Sequence, residues 1–145
     1  METYFFDTSA LVKRYHEEQG TERVDEILDD EETEILISSL TVIESVSAFR
    51  RKHNRGDVTE SEMQQLLSVF FREALDEFVI IPLEESLLTF SFDLVLEDDL
   101  RTLDSLQLSA GLSITEEMSD IQFATADTDL ADVARERGLA TVVPA

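Results

Sequence analysis

Residues 4–10 read Tyr4-Phe5-Phe6-Asp7-Thr8-Ser9-Ala10. A continuous apolar run of this length describes a short strand buried on both faces. The acid and hydroxyl residues after it lead into a helix, expected over Ser9 to His16 with Ala10, Leu11 and Tyr15 turned inward. Strand, then polar junction, then helix is the first unit of the chain. The pattern recurs downstream. Ile35-Leu36-Ile37 is a second strand candidate and runs into a helix from about Thr41 to Arg55, with Val42, Ile43, Val46 and Phe49 at helical spacing and Gly56 as its stop. Ile121 to Thr125 is another strand, followed by Ala126-Asp127 and a helix over Asp129 to Arg137 that ends at Gly138.

The remaining elements fill the gaps. Phe78 to Ile81, closed by Pro82, and Ala140 to Val143 read as strands. Thr21 to Leu28 reads as a short helix, and Thr59-Glu60-Ser61-Glu62 resembles a capping box opening a longer one through Met63, Leu66, Leu67, Phe70 and Phe71. Helices are also expected over Glu84 to Leu96 and Leu100 to Leu112, the latter buried through Leu103, Leu106 and Ala110. Strands alternating with helices predict an α/β fold around a mostly parallel sheet of four to five strands. At 145 residues, one domain over 1–145 is the expectation.

Composition narrows the function classes. The hydrophobic share of 43% is enough for a core, so disorder is not expected despite the charge. There is no cysteine, which excludes disulfides, thiolate metal sites and a cysteine nucleophile. His16 and His53 stand alone and do not resemble a zinc site. No apolar stretch approaches the roughly 20 residues that cross a bilayer. The N-terminus lacks a basic leader, so a cytoplasmic protein without membrane attachment is expected.

The 33 acidic and 11 basic residues give a net charge of −22. Only Lys13 and Lys52 are lysines; the other nine bases are arginines. Such acidity fits a salt-loving source, a halophilic archaeon, because salt screens self-repulsion, with a Debye length of about 3 Å at 1 M. It sits uneasily with nucleic-acid binding, which ordinarily rests on a basic patch.

Among so many acids, local context singles out four. Asp7, Glu44, Asp104 and Asp127 each lie in apolar or uncharged sequence. A carboxylate in such surroundings is costly unless it is paired or holds a cation. Asp7 and Asp127 fall at the carboxyl ends of expected strands, the edge where open α/β sheets bind ligands. Glu44 and Asp104, near helix starts, could reach the same edge. Four converging carboxylates without histidine or cysteine suit Mg²⁺ or Mn²⁺, and thereby phosphoryl chemistry. Helix capping competes as a role for Asp7 and Asp127. Asp93, equally isolated but mid-helix, reads as structural, and the acidic runs Asp29 to Glu32 and Glu97 to Asp99 read as solvated loops.

Four segments, in order, resemble the PIN-domain ribonucleases, especially the toxins of VapBC-type toxin–antitoxin pairs. They are Phe6-Asp7-Thr8-Ser9-Ala10-Leu11; Thr41-Val42-Ile43-Glu44; Leu103-Asp104-Ser105-Leu106-Gln107-Leu108-Ser109-Ala110; and Phe123-Ala124-Thr125-Ala126-Asp127 with Leu130-Ala131 and Ala134. The resemblance implies a three-layer α/β/α sandwich and an acidic pocket for one or two Mg²⁺ or Mn²⁺ ions. Asp7 and Asp104 would be the principal ligands, and Glu44 and Asp127 would complete the site. Ser9 and Thr125 match positions that hydrogen-bond within it, and Asp129 is a further contributor. The implied activity is endoribonuclease hydrolysis of RNA phosphodiesters by a toxin, with a cognate antitoxin and a homodimer as its associations. Phosphate-holding candidates are Arg14 first, then Arg50, Arg51 and Arg55, all of which compete with ordinary surface pairing. Another metal-dependent phosphoesterase, acting on DNA or nucleotides, and a non-catalytic PIN-fold binding module are the alternative readings.

Overall fold

A computed structural model describes residues 2–118 and 120–145. Five strands, β1 (Glu2–Phe6), β2 (Thr33–Ser38), β3 (Val79–Ile81), β4 (Ile121–Ala124) and β5 (Ala140–Val142), form one parallel sheet in the order β3-β2-β1-β4-β5. The helices are α1 (Thr8–Leu11), α2 (Thr21–Asp29), α3 (Ser39–Asn54), α4 (Glu60–Asp76), α5 (Glu85–Asp98), α6 (Thr102–Ile114) and α7 (Thr128–Glu136). They cover both faces of the sheet, the α/β arrangement expected from the alternation of elements.

Alternation along β1 explains its unbroken apolar sequence. Tyr4 and Phe6 point into one core, with Phe49 and Phe70 from α3 and α4. Phe5 points into the other, with Leu94, Leu108, Leu130 and Phe123 from α5, α6, α7 and β4. The Phe5 and Phe123 rings stack across adjacent strands with centroids 5.8 Å apart. A strand buried on both faces has no polar position to spare. Gly111 lets α6 settle on that stack, because a Cβ there would lie 3.0 Å from Phe123 Cδ1. That close approach sets the height of α6, and with it Asp104 and Gln107, over the sheet.

Three local expectations change. The helix expected over Ser9 to His16 is only the single α-helical turn of α1, continued by a 3₁₀ turn over Val12–Arg14. The Lys13 carbonyl accepts from the Thr21 hydroxyl at 2.7 Å, and its ammonium turns inward to the Gln19 carbonyl at 2.6 Å. These bonds fold the chain back before another turn forms. Next, α3 starts at Ser39, because Ser38 caps it by accepting from the Leu40 amide. Finally, Leu103, expected in the core, is 48% exposed. It lies in the first turn of α6, whose buried stripe begins only at Ser105. The capping box stands as expected, with reciprocal Thr59 and Glu62 bonds of 3.0 and 3.1 Å.

Strand order reverses at the centre. From β1 the chain crosses to β2 on one side, and β4 later pairs with β1 on the other. Crossovers that leave in opposite directions open a crevice beyond the carboxyl ends of β1 and β4. Among the described residues no helix is long and apolar enough to cross a membrane.

Candidate active site

Asp7 follows β1 directly, and its backbone amide extends the ladder with a 2.9 Å bond to the Ala124 carbonyl of β4. It occupies the N-cap position of α1, yet its side chain caps nothing. Its Oδ2 instead accepts from the hydroxyls of Ser9 at 2.8 Å and Thr125 at 2.7 Å. Those hydroxyls are themselves fixed, since Ser9 Oγ accepts from the Ala126 amide and Thr125 Oγ1 from the Asp127 amide. Among the described residues Oδ1 receives no hydrogen bond. The carboxyl is 5% exposed and its pKa is pushed up to about 6, mainly by burial. The two hydroxyls pull it down, and the neighbouring charges of Glu44 and Asp104 push it up further.

Glu44 reaches the same place from the second turn of α3. Its Oε1 accepts from Thr8 Oγ1 at 2.9 Å and from the Gln107 amide at 2.7 Å. That amide also lies 2.7 Å from the Thr41 hydroxyl and 3.2 Å from that of Thr8. Asp104, in the first turn of α6, has its pKa raised by partial burial and by the charges of Asp127 and Glu44, opposed by Arg101. Asp127 caps α7, its Oδ1 accepting from the Asp129 and Leu130 amides at 2.9 and 3.1 Å. Its Oδ2 faces Arg101 at 4.0 Å. The four acids singled out from sequence therefore share one electrostatic neighbourhood.

The other candidates separate. Ser9 and Thr125 lie at the centre, on Asp7. Asp129 is exposed on the first turn of α7, and its backbone rather than its carboxylate is tied to Asp127. Arg14 is not part of the cluster. It is held by Asp25 at 3.0 Å, Asp29 at 2.8 Å and Glu73 at 3.0 Å, in an ion-pair knot joining α2 and α4. Arg51 bonds Ser47 and Arg55 pairs with Asp57 at the far end of α3, where Arg50 is also exposed. Asp93 is exposed on α5 and belongs to no site.

Two residues that touch the candidate acids escaped the sequence reading. Gln107 is 1% exposed and aims its amide at Glu44, while its Oε1 has no partner among the described residues. Its signal was a long polar side chain on a buried helix face otherwise made of small and apolar residues. Arg101 stands three residues before Asp104, a spacing that brings the two side chains together on a helix start. A cleft of about 470 Å³ lined by Glu44, Arg101, Thr102, Leu103 and Asp104 opens beside the acids. A larger groove, about 650 Å³, lies elsewhere, between the segment around Tyr15 and α4, and contains none of the four acids.

The chemistry of this set fits a hard divalent cation. Every available donor is an oxygen, and a buried carboxyl beside two others creates a potential that a cation relieves. Among the described residues no three acidic or histidine side chains form a closed ion cage as they stand.

The PIN domain profile matches residues 4–136, nearly the whole chain. The chain belongs to the PIN domain family. Among solved structures, VapBC2 from Rickettsia felis, bound to a promoter DNA fragment, aligns over 97% of this chain and 98% of its own at 18% identity, with a TM-score of 0.65. A toxin–antitoxin complex from Klebsiella pneumoniae covers 98% of each chain at 21% identity and a TM-score of 0.64. VapC20 of Mycobacterium tuberculosis, a sarcin–ricin loop cleaving toxin, covers 97% of this chain and 99% of its own at 10% identity and a TM-score of 0.68. At these identities the likeness is one of fold. Curated protein sequences return no match. Nothing in these matches supports a halophilic archaeal source for the PIN domain described above.

Proposed function

We propose that this PIN domain is a divalent-cation-dependent endoribonuclease acting as the toxin of a toxin–antitoxin pair. The observation that carries the reading is Asp7, a buried carboxyl held on one oxygen by two hydroxyls and crowded by Glu44 and Asp104. Asp7, Glu44, Asp104 and Asp127 would hold Mg²⁺ or Mn²⁺. Bound there, such a cation acidifies water and neutralises charge developing on a phosphodiester. Ser9 and Thr125 fix the orientation of Asp7 and favour its ionised form, which a cation requires. Thr8 and Gln107 do the same for the orientation of Glu44. The cleft beside Asp104 is where a substrate strand would lie.

The description of one relative as a toxin–antitoxin complex supports an antitoxin partner for this chain, and a homodimer belongs to the same reading. The description of one relative as an RNA-loop cleaving toxin supports RNA over other phosphodiesters. The test is cleavage of RNA and DNA oligonucleotides with EDTA, Mg²⁺ or Mn²⁺, at low and molar salt. RNA should be cut only with a divalent ion, and Asp7→Asn or Asp104→Asn should abolish cutting while circular dichroism stays unchanged. Cutting by both variants at the wild-type rate would remove the site. Preferential cutting of DNA would replace the substrate.

A further inference from the structure

The acidic cluster raises a problem that the proposed reaction has to solve. A chain of net charge −22 would have to bring a polyanion to an acidic crevice. Metal alone draws the reacting phosphate, but neighbouring phosphates of the same strand meet carboxylates. Among the described residues lining the cleft beside the acids, Arg101 is the one cation.

Its situation is unlike that of the structural arginines. Arg137 holds Asp98 at 2.7 Å and Glu97 at 3.0 Å. Arg14 is enclosed by three acids at 3.0 Å or less. Arg101 lies 3.7 Å from Asp104 and 4.0 Å from Asp127, both at its reach rather than in hydrogen-bond contact, and its side chain is 86% exposed. Pairs of this length and exposure contribute little to stability, so releasing them is cheap. Its backbone, by contrast, is fixed as the N-cap of α6, with its carbonyl accepting from the Ser105 amide. An exposed, loosely paired guanidinium on an anchored base stands beside the site.

We infer that Arg101 exchanges partners: it offsets the charge of Asp104 and Asp127 before a divalent cation arrives, then serves as a contact for a substrate phosphate flanking the scissile bond. This rests on the reading of the cluster as a metal-dependent RNA site. Once a divalent ion satisfies the carboxylates, the attraction that draws Arg101 inward disappears. The planar fork then meets the nearest anion of another kind, a phosphodiester, which a guanidinium engages through paired N–H donors. The same residue thus competes with metal and cooperates with RNA.

These roles predict opposite signs from one substitution. Arg101→Ala should bind Mn²⁺ more tightly than wild type by calorimetry without RNA, by about two- to fivefold, since a nearby positive charge is gone. In Mn²⁺-dependent cleavage of a single-stranded RNA oligonucleotide, its KM should rise about tenfold with kcat within about twofold, as loss of one charge-assisted contact implies. The slope of log KM against log salt should fall by about one phosphate contact. Arg101→Lys should restore the Mn²⁺ affinity of wild type and part of the KM. Arg137→Ala, equally a lost arginine but away from the cleft, should change neither reading. An unchanged KM, or weaker Mn²⁺ binding in Arg101→Ala, would overturn the assignment while wild-type activity stands. Wild-type protein that neither binds Mn²⁺ nor cuts RNA would instead remove the nuclease reading, and this inference with it.

Discussion

The ends of β1 and β4 are built alike and put to different uses. Each delivers an aspartate to the N-cap position of the following helix, at neighbouring points on one sheet edge. Asp127 does what such a residue ordinarily does, taking two backbone amides of α7 onto one oxygen. The Asp7 side chain leaves the amides of α1 to its own backbone carbonyl, which accepts from Ala10 and Leu11 at 3.1 Å, and takes side-chain hydroxyls instead. The difference follows from helix length. A four-residue helix that tightens at once into a 3₁₀ turn makes few bonds for a cap to protect, whereas α7 runs nine residues. Asp7 is therefore released from structural duty and buried at a cost, while Asp127 contributes stability. A side chain that destabilises its own fold is a candidate for function.

Substitution should set the two aspartates in opposition. Asp7→Asn should eliminate cleavage and, in EDTA at neutral pH, stabilise the protein by up to about 3 kcal/mol, given an ordinary carboxylate pKa of 3.8 raised to about 6. Urea denaturation checks the sign. A loss of stability in this variant would mean that Asp7 is a structural group after all. The folded-state pKa exceeds the unfolded one, so protonation favours the native state. The advantage of Asp7→Asn over wild type should thus be full above about pH 6 and vanish as pH falls towards 4. Comparing the two proteins at each pH removes the general relief of acidic self-repulsion, which both share.

Gln107→Met keeps the bulk of the side chain and removes the amide on Glu44. It should weaken Mn²⁺ binding about tenfold, the usual penalty for losing a residue that orients a ligand. Calorimetry decides; equal affinity would reduce Gln107 to packing. Asp127→Ala should cost about 1 kcal/mol through the lost cap, in addition to any effect on cleavage. Asp93→Ala, on the exposed face of α5, should move stability by no more than about 0.5 kcal/mol and leave cleavage intact.

Sequence alone carried the architecture where burial is two-sided. Tyr4-Phe5-Phe6 had to be a strand with a core on each face, and the acid at its end had to be accounted for. Isolated charge in apolar context likewise singled out Glu44, Asp104 and Asp127, whose charges the fold sets near one another, but also Asp93, which it leaves exposed on α5. Gln107 was invisible to that filter because an amide carries no charge, although its burial is as unusual as that of Asp7. Arg14 misled for the opposite reason. Its charge was visible, but its partners Asp25, Asp29 and Glu73 come from other elements, and only the folded chain brings them around it. Leu103 followed the apolar periodicity of α6, yet a first helical turn can project beyond the layer its later turns bury.

The bond between Thr125 and Asp7 spans 118 positions of the chain. Synthesis proceeds from the N-terminus, so the aspartate leaves the ribosome long before the hydroxyl that orients it. Nascent copies, and fragments cut before β4, hold only part of the cluster. An activity wired this way would stay silent until β4 and the turn after it have joined β1 in the sheet.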